Sequence, residues 1–168
     1  MKVQSFLAFG QIFTWQDIPS GMLFLCKCTR HQFFGMKVTA PDEKCLLLHG
    51  QYDLAQKSAA FIAVTDVFNE SLLSFPNAMV MYDSVANGIL LSQLESPAPG
   101  DLLLVNGTVN LCVGMHGLNN FVDLAKGKLN ADTNGVLRAI ITEWSVVLEV
   151  NGVNDVLFSF PSSFANSP

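Results

Sequence analysis

The sequence predicts an all-β protein made of two tandem, related, small antiparallel β-barrel-like units packed together. Three observations carry that expectation. The first is a stretch used twice: residues 21–36 read GMLFLCKCTRHQFFGM and residues 100–115 read GDLLLVNGTVNLCVGM. Without a gap, Gly21, Leu23, Leu25, Thr29, Gly35 and Met36 meet Gly100, Leu102, Leu104, Thr108, Gly114 and Met115, at a spacing of 79 in a chain of 168 residues. A repeat at half the chain length is the mark of a tandem duplication. The second is the recurrence of turn signals roughly every eight to twelve residues between short runs of apolar and β-branched residues. The third is the lack of helical periodicity: the best helix candidate, residues 54–60, is long enough only for a turn.

In chain order, residues 2–9 alternate loosely and suit a first strand. Residues 15–21 form a turn in which Pro19 fixes φ and Gly21 takes the positive φ that launches a new strand. On the strand MLFLCKC, a period of two puts Met22, Phe24, Cys26 and Cys28 on one face and Leu23, Leu25 and Lys27 on the other. A tip near Thr29-Arg30-His31 returns the chain through residues 33–38, and the matching tip, Asn106-Gly107, is a strong type I′ hairpin signal. The run Cys45-Leu46-Leu47-Leu48 is answered by Val122-Asp123-Leu124-Ala125, so that Cys45 meets Val122. Residues 58–68 and 135–147 both read as buried strands, with Thr65-Asp66 answering Thr142-Glu143. A hairpin closes each unit, at Pro76-Asn77 and at Asn151-Gly152, and a further one is marked by Asn87-Gly88. Pro97-Ala98-Pro99 stiffens the junction, which divides the chain into units 1–84 and 85–168. The alternative architecture is one larger sandwich that shares strands across both halves.

Composition narrows the function classes. Half of the residues are hydrophobic and 14% are charged, against about 25% charged in an average soluble domain. Two units of that size would each bury only about 60% of their unfolded surface, so surplus apolar area must be covered by the other copy, an oligomer or a protein partner. The net charge is −5 with nine Lys and Arg in no cluster, which argues against nucleic-acid binding. The amino terminus lacks the pattern of a secretion signal and no window is apolar enough for a membrane span, so the expected setting is the cytoplasm, with Cys26, Cys28, Cys45 and Cys112 reduced.

The sharpest chemical constellation is Cys26-Lys27-Cys28 with His31, Cys45 and His49, since thiolates and imidazoles are the ligands of zinc. Cys-x-Cys on a strand puts both sulfurs on one face without forming a knuckle, and Cys26 and Cys45 align with valines, so core packing is the expectation and no metal is expected. A cysteine nucleophile would need His31 or His49 with Asp17, Asp42 or Asp53, and nothing in the spacing brings them together. His116 reads as a loop residue. Asp66 and Glu143 are candidates for paired carboxylates, against the simpler reading of each as the wet position of a strand. Phosphate-binding loops are missing and no cofactor is expected. The sequence therefore names no catalytic or cofactor-binding residues. It points to a non-enzymatic interaction or assembly module with a protein partner or homo-oligomer, the alternative being a small-ligand-binding protein or enzyme with its site in the cleft between the units.

Overall fold

The computed structural model describes residues 9–39, 42–83, 88–90, 96–115, 118–129 and 138–161. Residues 2–8 of the first strand expected over 2–9, Asn87 of the further hairpin, and His116 lie outside them, and Phe9 is not in a strand. Among the described residues the chain is all β, with sixteen strands and no α-helix. They are β1 (Gln11–Phe13), β2 (Leu23–Lys27), β3 (His31–Thr39), β4 (Glu43–Tyr52), β5 (Ala55–Lys57), β6 (Ala60–Ile62), β7 (Leu72–Phe75), β8 (Ala78–Met81) and β9 (Gly88–Leu90). The second half adds β10 (Leu102–Val105), β11 (Thr108–Met115), β12 (Leu118–Asp123), β13 (Lys128–Leu129), β14 (Arg138–Ile141), β15 (Trp144–Val150) and β16 (Val153–Phe160).

Turn chemistry sets the hairpins. Asn106 and Gly107 have φ of 49° and 76°, and Asn151 and Gly152 have 53° and 77°. Both pairs thus supply the two left-handed residues that a two-residue connection between twisted strands requires. Gly21 and Gly100 launch β2 and β10 at φ of 83° and 102°. Each donates its N–H across the turn at 2.8 Å, Gly21 to the Lys37 carbonyl and Gly100 to the Cys112 carbonyl.

The strand pairings of the second half follow those of the first. β2 pairs with β3 and β7, β3 with β4, and β4 with β6. Likewise β10 pairs with β11 and β14, β11 with β12, and β12 with β13. The halves also meet reciprocally: β6 touches β11 through Ala60 and Gly114, β13 touches β3 through Lys128 and Thr39, and β8 pairs with β15. The gapless match of residues 21–36 to 100–115 holds only as far as the hairpin tip. Gly35 opposes Phe24 whereas Asn110 opposes Leu103, so Gly35 stands where Asn110 does and not where Gly114 does. Likewise Leu46, opposite Met36, answers Val122, opposite Leu111, so Cys45 does not meet Val122.

Among the described residues the two separate barrels expected from the sequence are not closed. Among the described residues the strands make a large sheet and a smaller one of order β16-β15-β8, both containing strands from both halves and neither closing into a barrel. The cause lies after β7 and β14. The predicted hairpin at Pro76-Asn77 turns the chain, but β8 leaves its neighbour and pairs with β15 of the other half. The predicted strand 135–147 breaks at Thr142-Glu143, so that β14 stays in the large sheet and β15 crosses to the small one. Residues 58–68 are a strand only at β6, after which Val64–Asp66 is a short 3-10 turn.

This exchange lets one core serve both halves. Leu23, Met36, Val38, Leu46 and Phe75 pack in one cluster with Leu111, Val122, Ile141, Trp144 and Val146. A second cluster, Trp15, Phe24, Cys26, Phe33, Cys45 and Leu47, lies on the other face of β2, β3 and β4, and a small third one holds Leu103, Val105 and Ile140. Alternation along β4 explains the division, since Leu46 and Leu48 belong to the shared core and Cys45 and Leu47 to the second.

Two glycines of similar backbone conformation separate strain from crowding. Gly127 (φ 58°) leaves a Cβ only 2.0 Å from the Gly21 nitrogen, whereas Gly107 (φ 76°) has nothing within 4 Å. Gly107→Ala is expected to cost about 1–2 kcal/mol, the left-handed penalty alone. Gly127→Ala, with a backbone clash added, should lose at least twice as much. Urea midpoints at unchanged m-value check this, and equal losses would mean that the halves do not meet at Gly127.

Candidate functional site

The cysteines take core positions. Cys26 and Cys45 are fully buried in the second cluster, Cys112 is buried as well, and all four thiols are unbridged. Desolvation pushes the Cys26 thiol up to about 12, with the neighbouring Cys28 adding to the effect. It likewise pushes Cys112 up to about 11 and drives Cys45 further still. Such thiols are poor nucleophiles and poor metal ligands, because both roles need the thiolate.

The histidines do not join them. His31 stacks on Tyr52 at 4.7 Å, and its Nδ1 accepts the Asp53 backbone N–H at 3.2 Å. His49 lies parallel to Phe158 at 5.2 Å on the shared-core side of β4, the side opposite Cys45. Asp17 is held in its turn by the Thr14 hydroxyl at 2.6 Å. Among the described residues no three His, Cys, Asp or Glu side chains converge as metal ligands would. Asp66 and Glu143 do not face each other as a pair: Asp66 accepts the Tyr52 hydroxyl, while Glu143 is exposed in the link between β14 and β15. That hydrogen bond is the main cause that raises the Tyr52 phenol to about 12.

Two polar features were not foreseen. Lys37 is 4% exposed, and its ammonium is held by the Trp15 carbonyl at 3.1 Å and by Glu43 at 2.9 Å, 5.2 Å over the Trp15 ring. Glu43 also accepts the Trp15 indole N–H at 3.2 Å, so the group is closed on itself and is a structural pin. The other feature is a β-bulge. Phe34 opposes His49 and Gly35 opposes Leu47, which leaves Leu48 as the extra residue, and β11 and β12 show no such shift. The bulge turns both Leu48 and His49 toward the shared core. It opens a cleft of about 610 Å³ lined by Phe34, His49, Leu157 and the register row Gln32, Gln51 and Gln56.

A cleft between the halves does exist, about 230 Å³ in volume, lined by Gly21, Leu23, Met36 and Phe75 from one and Leu124, Trp144 and Val146 from the other. None of the residues around it is ionisable. It can hold an apolar group, and it offers no acid, base or thiolate to react with one.

Among the described residues an exposed apolar group lies elsewhere, on the outer face of β8, β15 and β16. Met79 and Met81 are 43% and 45% exposed there, and Val156 60%. Register places Met79 opposite Val147 and Val147 opposite Val156, in one row across the sheet, with Met81 opposite Ser145 and Ser159 in the next. A shallow groove of about 660 Å³ runs along this face, past Asp83, Glu143 and Asn154. The sequence held a trace of it, since Ala78-Met79-Val80-Met81 is apolar on both faces of a strand. Read as half of a closing hairpin, that run gave no reason to find it exposed.

No protein-family model matches the chain, and no curated protein or solved structure matches it significantly. No helix among the described residues is long and apolar enough to cross a membrane.

These ionisable groups set a pH window for stability. Burial lowers the His49 pKa from 6.5, so the unfolded chain binds more protons there and stability falls as pH drops below about 6.5. The buried thiols are raised from 9.0, so their contribution is complete below about pH 9 and is lost as pH climbs from there toward about 12. Urea unfolding across this range should therefore show a plateau from about pH 6.5 to 9, with the acid slope reduced in His49→Gln. In the native state a thiol reagent should label Cys28, the half-buried thiol, well before Cys26 and Cys45. Rapid labelling of either buried thiol would contradict the core assignment.

The Lys37 group gives a separate test. Glu43→Ala leaves a buried ammonium with one hydrogen bond fewer and should cost about 1–3 kcal/mol. Lys37→Met, which removes the buried charge itself, should cost less, as compared by thermal or urea unfolding.

Proposed function

We propose that the protein is a non-enzymatic interaction or assembly module and that its working surface is the outer face of β8, β15 and β16. The observation that carries this reading is the group of exposed Met79, Met81 and Val156 on one face of the small sheet. Large side chains left out of a core that has room for so many others mark a surface with a partner. The reciprocal strand pairing supports reading residues 1–84 and 85–168 as copies of one ancestral unit, and the four reduced thiols suit a cytoplasmic setting.

A second reading, a small-ligand binder, draws support from the bulge at Leu48-His49. Bulges that re-aim one side chain cluster beside binding sites, and this one occurs in only one half.

The interaction reading is tested by placing a photo-crosslinking amino acid at Met81 of the full chain in its native host, with Asn106 as the control position. A discrete adduct at position 81 and none at 106 is the expected result. Identical patterns at the two positions, or no adduct at either, would remove this face as the working surface.

A further inference from the structure

Resting on the reading of this face as an interaction surface, we propose that its occupant is a polypeptide segment that is apolar along one side and carries Lys or Arg beside it. The argument joins shape to charge. The centre of the face is thioether and isopropyl surface, Met79, Met81 and Val156, set around Val147. Methionine has an unbranched, polarizable side chain that moulds to different apolar shapes, so two of them side by side on a strand suit an inserted Leu, Phe or Met.

Among the described residues that line the groove, the charged ones are acidic. Asp83 and Glu143 line the groove, and exposed Glu149 opposes Asn154, which also lines it. The sequence has no Lys or Arg between Lys57 and Lys126 and none after Arg138, so every strand of this sheet lies in a stretch without cations. Charge of one sign around an apolar centre steers partners of the opposite sign and rejects those of the same sign. An anionic membrane surface and a nucleic acid are rejected on that ground. A second copy docked through the same face is disfavoured too: a twofold contact sets the patch against itself, and Glu143 and Glu149 of both copies would share one interface.

The experiment uses the full chain with its methionine methyls labelled for NMR. It is titrated with a Leu/Lys amphipathic peptide, a Ser/Lys peptide of equal charge and a Leu/Glu peptide of opposite charge. The Leu/Lys peptide should shift the Met79 and Met81 methyl signals saturably, and its binding should weaken on raising salt from about 50 to 300 mM. Binding should weaken about tenfold in Glu143→Gln/Glu149→Gln and in Met81→Ser. Equal binding of the Leu/Glu peptide, equal binding of the Ser/Lys peptide, or a chain that sediments as a dimer with this face closed to all three would overturn the proposal. An adduct from position 81 without any response to the Leu/Lys peptide removes the basic partner and leaves the interaction surface standing. Failure of both removes the surface itself.

Discussion

The close approach of Gly21 and Gly127 governs how the two halves meet. A Cβ on Gly127 would lie 2.0 Å from the Gly21 nitrogen, so there is no side chain to rearrange and no second way to seat the turn. Backbone hydrogen bonds fix the same spot from both sides. Gly21 donates to the Lys37 carbonyl at 2.8 Å and Thr39 donates to the Gly127 carbonyl at 2.9 Å. With the turn seated, Lys128 pairs with Thr39, and Val122 and Leu129 enter the same core as Met36 and Val38. A contact made of backbone is discrete where one made of side chains would be adjustable, and a single shared core depends on that.

Outside the shared core the halves diverge. Lys37 and Cys112 hold corresponding places, each accepting at its carbonyl the N–H of the glycine that launches its half. In the first half that place is a buried ammonium clamped by Trp15 and Glu43. In the second it is a thiol 3.5 Å from the Pro97 carbonyl. Gly35 gives way to Asn110, whose Oδ1 is buried without a partner among the described residues, and Leu47 to Asp123. Asp123 is satisfied locally, accepting the N–H groups of Ala125 and Lys126. Matching strand pairings with differing outer layers allow one half to pack as core where the other carries polar groups, and the bulge at Leu48-His49, which β11 and β12 do not share, belongs to the same asymmetry.

What was legible in the sequence is what local chemistry decides. Asn106-Gly107 and Asn151-Gly152 needed only their own φ preferences to become the turns they are, and Gly21 needed only its lack of a Cβ. The core assignments of Cys26 and Cys45 follow from alternation within apolar strands. Two kinds of fact were hidden. One was hairpin length: a gapless match cannot show that the first tip is longer than Asn106-Gly107, and the pairing of Gly35 with Gly114 failed on it. The other was long-range choice. Nothing within residues 72–81 says that β8 will abandon β7, because that depends on β15, some sixty residues further along the chain, offering Val146 and Val147 across from Val80 and Met79. The exposed face of the small sheet exists only through that exchange, so it was hidden for the same reason.

That sheet also indicates which kind of contact it admits. Among the described residues its two outer strands, β8 and β16, pair on one side only, and a free strand edge is the usual route to strand addition. The edge of β16 is guarded: Asn154 and Asp155 sit on it exposed, and the ladder shifts between Val146 and Val147 and bends the strand. β8 is short, another common defence. The face has no such protection. Val147 on that face is only 2% exposed, since Met79 and Val156 flank it across the ladder. Its centre is thus already dry, and a partner laid over Met79 and Val156 adds apolar contact above Val147, while Ser145 and Ser159 beside Met81 already hydrogen-bond to each other. A sheet that defends its edges and leaves its face bare selects for side chains that press down on it over strands that extend it.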